Sequence, residues 1–118
     1  MNAFRIYLVM VVLVIGAYTA VVVANHGLGL LQVFFADMAK MAWPGQFNLD
    51  FMAFLSFSAL WLAWRHHFSP AGLALGVAGF LLGAPFLAVY LLLTLQRTGE
   101  DVAALLLGPE RAAAIRAS

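Results

Sequence analysis

The 118-residue chain contains no cysteine, and only 9% of its residues are charged. The absence of cysteine excludes disulfide bonds, thiolate metal sites and dithiol redox chemistry, including quinone reduction through a CxxC pair. A net charge of +1 provides no dense basic patch, so we expect no nucleic-acid partner. Apolar residues make up 65% of the chain and the mean hydropathy is +1.00. A soluble domain of this length cannot cover so much apolar surface, so the composition predicts an integral membrane protein.

Three apolar segments are long enough to cross a bilayer, which requires about 20 residues. These predicted spans are residues 6–24, 47–64 and 70–95. The second ends at Arg65, His66 and His67, which suit the headgroup layer, and the third begins with the helix-start pair Ser69-Pro70. Because their connection is short, helices two and three are predicted to form an antiparallel hairpin. The first segment also fits a signal peptide, although its apolar region is longer than usual.

The connection between the first two spans, residues 29–42, is predicted to be an amphipathic helix lying in the membrane interface. Trp43 would anchor it, and Pro44-Gly45 would turn the chain into helix two. An ordered loop packed on the bundle is the alternative. The apolar side of the helix carries Leu30, Leu31, Phe34, Phe35, Met38, Met41 and Ala42, and the polar side carries Gln32, Asp37 and Lys40.

Residues 98–118 are predicted to form a short helical tail that is partly mobile. Thr98 and Asp101 resemble a capping arrangement for a helix that ends at Gly108-Pro109. The predicted fold class is therefore an all-α membrane protein. It comprises an antiparallel bundle of three transmembrane helices within residues 1–97, an interfacial helix between helices one and two, and this C-terminal tail.

Helix three carries a stripe of small residues at spacings of three and four, and Pro85 is predicted to bend the helix beyond it. Small residues at this spacing allow two helix backbones to approach closely in lipid. The partner can be another helix of the same chain or a second protomer, and the pattern does not distinguish them. The stripe consists of Gly72, Gly76, Gly79 and Gly83.

Helix two carries an aromatic stripe, Phe54, Phe57, Trp61 and Trp64, on the same face as Asp50. Helix packing explains such a stripe; the alternative is contact with a flat apolar ligand such as a quinone, a pigment or a lipid chain. In a three-span bundle, several polar residues gather at one membrane surface and form a candidate ligand-binding cluster. Its members are Tyr18, Asn25, His26, Asn48, Asp50, Tyr90, Thr94 and Arg97.

Asp50 is the most informative member of this cluster, because a carboxylate near the apolar region is normally paired inside the protein. We predict an ion pair with Arg97, or hydrogen bonds to Asn25 or Tyr90. The alternative is that Asp50 faces water and only stabilises the positive N-terminal end of helix two.

The histidines give little support for a metal site or for catalysis. His26 and the pair His66-His67 are predicted to lie at opposite membrane surfaces, about 30 Å apart, so they cannot share a metal within one chain. No cofactor, metal ligand set or catalytic residue is predicted. If the protein were an enzyme, His26 as base and Asp50 as the residue that orients it would be the first pair to test.

The segments FNLDF and WLAWRHH resemble those of small bacterial three-helix integral membrane proteins of unknown function. The resemblance covers about residues 4–97. It matches Asn48 and Asp50 to a polar helix start, and Trp61, Trp64 and Arg65 to an aromatic and charged helix end. It implies a multi-pass protein of the bacterial inner membrane with a cytoplasmic N-terminus, whereas the count of basic residues in a three-span arrangement favours the tail side as cytoplasmic.

From these features we expect a protein that acts by helix association, either as an accessory subunit of a larger membrane complex or as a homo-oligomer. The principal alternative is a binder or carrier of an apolar or amphiphilic molecule held between helices. A membrane-embedded enzyme is a weaker alternative. Beyond the lipid bilayer itself, the sequence identifies no specific partner.

Overall fold

The computed structural model describes residues 2–118, and every regular element in that range is helical. The prediction of an all-α protein is confirmed. The helices are α1 (Asn2–His26), α2 (Leu30–Ala39), α3 (Trp43–Arg65), α4 (Pro70–Leu82), α5 (Ala84–Thr98), α6 (Val102–Leu107) and α7 (Pro109–Ala117).

Within residues 2–118, two helices, α1 and α3, are long and apolar enough to cross a membrane. They contain 25 and 23 residues, and at about 1.5 Å per residue both exceed the thickness of a hydrocarbon core. The second predicted span begins earlier than expected, because Trp43 and Pro44 form the first turn of α3 rather than a loop before it. Proline is well suited to this position, since the first turn needs no hydrogen bond from its nitrogen.

The segment before α3 is helical, as predicted, and packs against the start of α3. Gly45 is buried where the two helices meet, and a Cβ at this position would lie 2.5 Å from the Asp37 carbonyl oxygen. Asn48 Nδ2 donates a 3.0 Å hydrogen bond to the Phe34 carbonyl oxygen. A glycine and an asparagine of α3 thus fix α2 in place, while Leu30 and other apolar residues of α2 remain exposed.

The third predicted span, 70–95, is not one helix. It breaks at Gly83, whose φ of +72° and ψ of −149° end α4 after 13 residues and start α5. Glycine adopts this left-handed φ at little cost because it has no Cβ. A proline within a helix does not supply such a positive φ, so Pro85 alone would not produce this break. The predicted bend at Pro85 was therefore misplaced by two residues, and Pro85 instead occupies the first turn of α5.

The chain reverses direction at Gly83. Gly83 lies beside Phe51 and Leu55, near the middle of α3. Seven residues later, Tyr90 Oη lies 3.0 Å from Nη1 of Arg65, at the end of α3. A straight continuation of α4 would instead carry Tyr90 about 10 Å further from Arg65. The two short helices therefore form a hairpin that runs about halfway along α3 and returns, so the three-span arrangement is not confirmed.

The predicted antiparallel hairpin between helices two and three is present as the α3–α4 pair, and glycines make its close approach possible. A Cβ at Gly76 would lie 2.9 Å from the Ala59 carbonyl oxygen, and one at Gly72 would lie 2.7 Å from Cβ of His66. Gly79 is likewise buried, against Leu62. Of the two partners left open for the glycine stripe, the structure shows a helix of the same chain.

The first half of α1 packs on α5 and α6 through a small core formed by Leu8, Ala88, Leu95 and Leu105. The second half of α1, residues 13–26, is exposed throughout. The start of α1, the end of α3 and the end of α5 therefore lie at the same end of the molecule, together with the tail. We call this the tail end.

Candidate functional site

The tail helices α6 and α7 are joined to each other by Asp101. Its Oδ1 accepts a 3.2 Å hydrogen bond from the Ala104 N–H and so caps α6, whereas the predicted capping arrangement began at Thr98, which is instead the last residue of α5. Both carboxylate oxygens also contact the Arg116 guanidinium, at 2.7 and 2.5 Å. These bonds, first that from Arg116 and then those from the backbone, lower the pKa of Asp101 to about 2. The carboxylate is thus charged at neutral pH and holds the two helices together.

The end of α6 is completed by side chains of α3. The Leu105 carbonyl would normally accept a hydrogen bond from the residue four positions later, but that residue is Pro109, which has no N–H. Arg65 Nε supplies the missing bond at 2.7 Å, and Arg65 Nη2 donates to the Ala104 carbonyl at 2.9 Å. Trp61 Nε1 donates to the Leu106 carbonyl at 3.0 Å.

The tail in turn completes the end of α3. Arg111 Nη1 donates a 2.6 Å hydrogen bond to the Trp64 carbonyl, and the guanidinium carbon lies 3.9 Å from the centre of the Trp64 ring. His67 Nε2 lies 3.2 Å from a carboxylate oxygen of Glu110. The tail is therefore docked on the membrane helices by contacts in both directions, rather than extending away from them.

Arg65 is the central residue of this end, with only 7% of its surface exposed. Its third hydrogen bond goes from Nη1 to Tyr90 Oη, at 3.0 Å, and Tyr90 Oη is also 2.7 Å from His66 Nε2. Since arginine can only donate, the Tyr90 hydroxyl proton is free to be donated to a neutral His66. Burial, followed by the charge of Arg65 and the neighbouring His67, lowers the pKa of His66 below 6.5, which favours this neutral form.

A polar cleft of about 310 Å³ lies next to Arg65. It combines the end of α3, the second half of α5 and the start of α7. Its charged residues include two arginines but a single carboxylate, so positive charge is in excess. It is lined by Arg65, His66, His67, Tyr90, Thr94, Arg97, Thr98, Pro109 and Glu110.

Of the predicted polar cluster, Tyr90, Thr94 and Arg97 come together in this cleft. Asp50 does not join them. It is exposed in a separate groove beside Gln46 and Phe80, near the Gly83 turn, whereas Arg97 lies at the tail end. The predicted Asp50–Arg97 ion pair is wrong, because the reversal at Gly83 takes the end of α5 away from the start of α3. Asp50 is exposed, as the alternative expected, but it is the eighth residue of α3 and lies beyond the first turn, so it does not stabilise the N-terminal end of the helix as that alternative also supposed.

The other members of the cluster are also dispersed. Tyr18, Asn25 and His26 line a groove formed by the exposed half of α1 alone. Asn48 is engaged with α2. His26 and Asp50 line different grooves, which gives no support to their pairing as a catalytic base and its orienting residue.

The aromatic stripe of α3 is divided between two environments. Phe54 and Phe57 are 66% and 69% exposed. Trp61 packs edge-on against Tyr90, with ring centres 5.9 Å apart, and Trp64 packs under Arg111. The two tryptophans are thus used in docking the tail, and the two phenylalanines face outward.

The role of Arg65 was not evident from the sequence, in which it was interpreted as an interfacial cation of the headgroup layer. A signal for it was present, since Pro109 leaves the Leu105 carbonyl without a backbone donor. Carbonyls in the last turn of a helix are completed by water or by a donor side chain, and here Arg65 supplies the donor.

Comparison of the chain with protein-family models, with characterised proteins and with solved structures gives no match. The resemblance to small three-helix bacterial proteins therefore stays a prediction.

Proposed function

We propose that the protein is an integral protein of the bacterial inner membrane that acts by association through α1. Low burial supports the membrane setting. In the most apolar 18-residue stretches of α1 and α3, only 6% and 11% of the residues are buried. The core helix of a soluble protein is mostly buried, and exposed apolar side chains on this scale require lipid or a partner.

In this proposal α1 and α3 cross the bilayer, and α4 and α5 form a hairpin that enters it from the tail end. Non-helical backbone at membrane depth is tolerated where protein covers it, and Phe51 and Leu55 lie beside the Gly83 turn. The N-terminus and the tail then lie on the same side.

The distribution of basic residues supports a cytoplasmic location for this side. The reversal at Gly83 brings the end of α5 and the tail to the side that already holds the start of α1, so the basic residues are no longer divided between two surfaces. Lys40, near the opposite end of α3, is the exception. An excess of arginine on one side marks the cytoplasmic face. The arginines on that side are Arg5, Arg65, Arg97, Arg111 and Arg116.

The main support for association through α1 is the open space beside Gly16. A Cβ added there would meet nothing within 4 Å. Gly16, Ala20 and Ala24 are spaced four residues apart on the exposed half of α1, and this spacing lets two helices pack closely in lipid. The glycines of α4 are already used within the chain, so α1 provides the remaining small-residue surface for a second copy.

Native mass spectrometry in mild detergent, with cross-linking in membranes, tests this proposal. We expect an oligomer for the wild type and a monomer for Gly16→Leu, because leucine would separate the two α1 helices. Val22→Leu, on the opposite face of α1, is the matched control and should remain oligomeric.

A wild type that is monomeric at all concentrations, or an oligomer that survives Gly16→Leu, would contradict the proposal. The same spectra detect bound lipids, quinones and pigments. A stoichiometric apolar ligand on a monomer would favour the binder or carrier alternative instead.

A further inference from the structure

The cleft beside Arg65 carries an excess of positive charge that its own residues do not neutralise. In residues 2–118, no carboxylate oxygen lies within 4.0 Å of the Arg65 guanidinium. Its buried positive charge is balanced only by the carbonyls of α6 and the hydroxyl of Tyr90. A buried cation that lacks an anion is costly, so an added anion would be stabilising here.

The guanidinium also has donors left over. Arginine carries five N–H groups, and the hydrogen bonds from Arg65 to Leu105, Ala104 and Tyr90 use three of them. One N–H remains on each Nη. Both Nη atoms therefore keep donor capacity beside the cleft that Arg65 lines.

A second guanidinium lines the same cleft. Arg97 is exposed and makes no hydrogen bond or ion pair within the part of the chain that the structure describes. The hydroxyls in the cleft are already engaged as donors, since Thr94 Oγ1 donates to the Tyr90 carbonyl at 2.7 Å and Thr98 Oγ1 donates to the Thr94 carbonyl at 3.1 Å. The single carboxylate, Glu110, lies 3.2 Å from His67. The unengaged donors of the cleft therefore belong mainly to its two arginines.

We infer that this cleft binds a phosphate group, with Arg65 and Arg97 as its cationic ligands. Charge-assisted bonds from guanidinium groups to phosphate oxygens are short and often bidentate, and they favour an oxyanion over a spherical ion such as chloride. The volume of about 310 Å³ suits a small anionic group rather than a flat quinone or a pigment. The phosphate can belong to free inorganic phosphate or to the headgroup of an anionic phospholipid.

Arg97→Gln is the variant that tests the site, because Arg97 does not hold the tail in place and its replacement should leave the fold intact. Lys40→Gln is the matched control, since it also removes one exposed cation but lies just after α2, outside the cleft. In the first arm, sodium phosphate is titrated against each detergent-purified protein at an ionic strength held constant with sodium chloride. We expect a saturable rise in melting temperature, with half-saturation at about tenfold higher phosphate in Arg97→Gln.

In the second arm, each protein is reconstituted into nanodiscs of phosphatidylcholine and phosphatidylglycerol, and the lipids that stay bound are identified by native mass spectrometry. Retention of phosphatidylglycerol that depends on Arg97 would show that the site takes a lipid headgroup. A response in the phosphate arm alone would show that it takes free phosphate. If wild type, Lys40→Gln and Arg97→Gln behave alike in both arms, the inference is overturned.

Discussion

Replacing Arg65 by methionine should release the tail from the membrane helices. Methionine has a similar length and fills the same space, but it donates no hydrogen bond. The change removes bonds of 2.7, 2.9 and 3.0 Å to Leu105, Ala104 and Tyr90. The Leu105 carbonyl is affected most, because Pro109 offers it no backbone donor, whereas the Ala104 carbonyl keeps its 3.0 Å bond from the Gly108 N–H.

The size of the effect follows from these three bonds. Hydrogen bonds from a charged donor are each worth about 1.5–3 kcal/mol. Removing the buried guanidinium also removes its desolvation cost, which returns several kcal/mol. We therefore expect the docked tail to lose about 3 kcal/mol, which corresponds to an increase of roughly two orders of magnitude in the equilibrium population of the undocked state.

Hydrogen exchange of the backbone amides measures this population directly. The amides of Gly108 and Ala112, which close the turns around the α6–α7 junction, should exchange about a hundredfold faster in Arg65→Met. Amides in the middle of α3 should be unaffected, and Lys40→Met should resemble the wild type. Tail amides that exchange at the wild-type rate would refute the reasoning. An equal acceleration in every helix would show that Arg65 supports the whole fold instead of the tail.

Two further predictions concern topology and pH. A reporter that fluoresces only in the cytoplasm should be active when it is fused after Ser118 and also when it is fused before Asn2, because the hairpin returns the chain to its starting side. Fluorescence from only one of the two fusions would contradict this topology and favour the three-span arrangement. Melting temperature in detergent should fall as the pH drops below about 6.5, because the unfolded state binds a proton more readily than His66 with its lowered pKa. His66→Gln should reduce this dependence and His67→Gln should preserve it; equal slopes in all three proteins would contradict the role of His66.

Local signals in the sequence predicted several elements of the fold correctly. Ser69 caps α4 by accepting a 3.1 Å bond from the Gly72 N–H, as predicted from its position before Pro70. Caps depend on residues within one turn, so one short segment contains all the information that is needed. The antiparallel pairing of α3 with α4 also follows from a connection too short for any other arrangement.

The break at Gly83 was missed because hydropathy is uniform across residues 70–95. Gly83 continues the spacing of Gly72, Gly76 and Gly79, so the sequence alone does not separate a glycine that permits close packing from one that adopts a positive φ. This single misassignment changed the candidate site. A continuous third helix would bring Arg97 towards Asp50, whereas the reversed chain brings it to Arg65.

α3 and the tail supply hydrogen bonds to each other's carbonyls, so neither helix end is complete until both have been synthesised. Arg65 and Trp61 are synthesised about forty residues before the carbonyls that they bind, those of Leu105 and Leu106. Until α6 leaves the ribosome, Arg65 and Trp61 lack the carbonyl acceptors that they bind in the folded protein. A chain truncated before α6 would lack these acceptors permanently, so we expect its membrane helices to be less stable than those of the full chain.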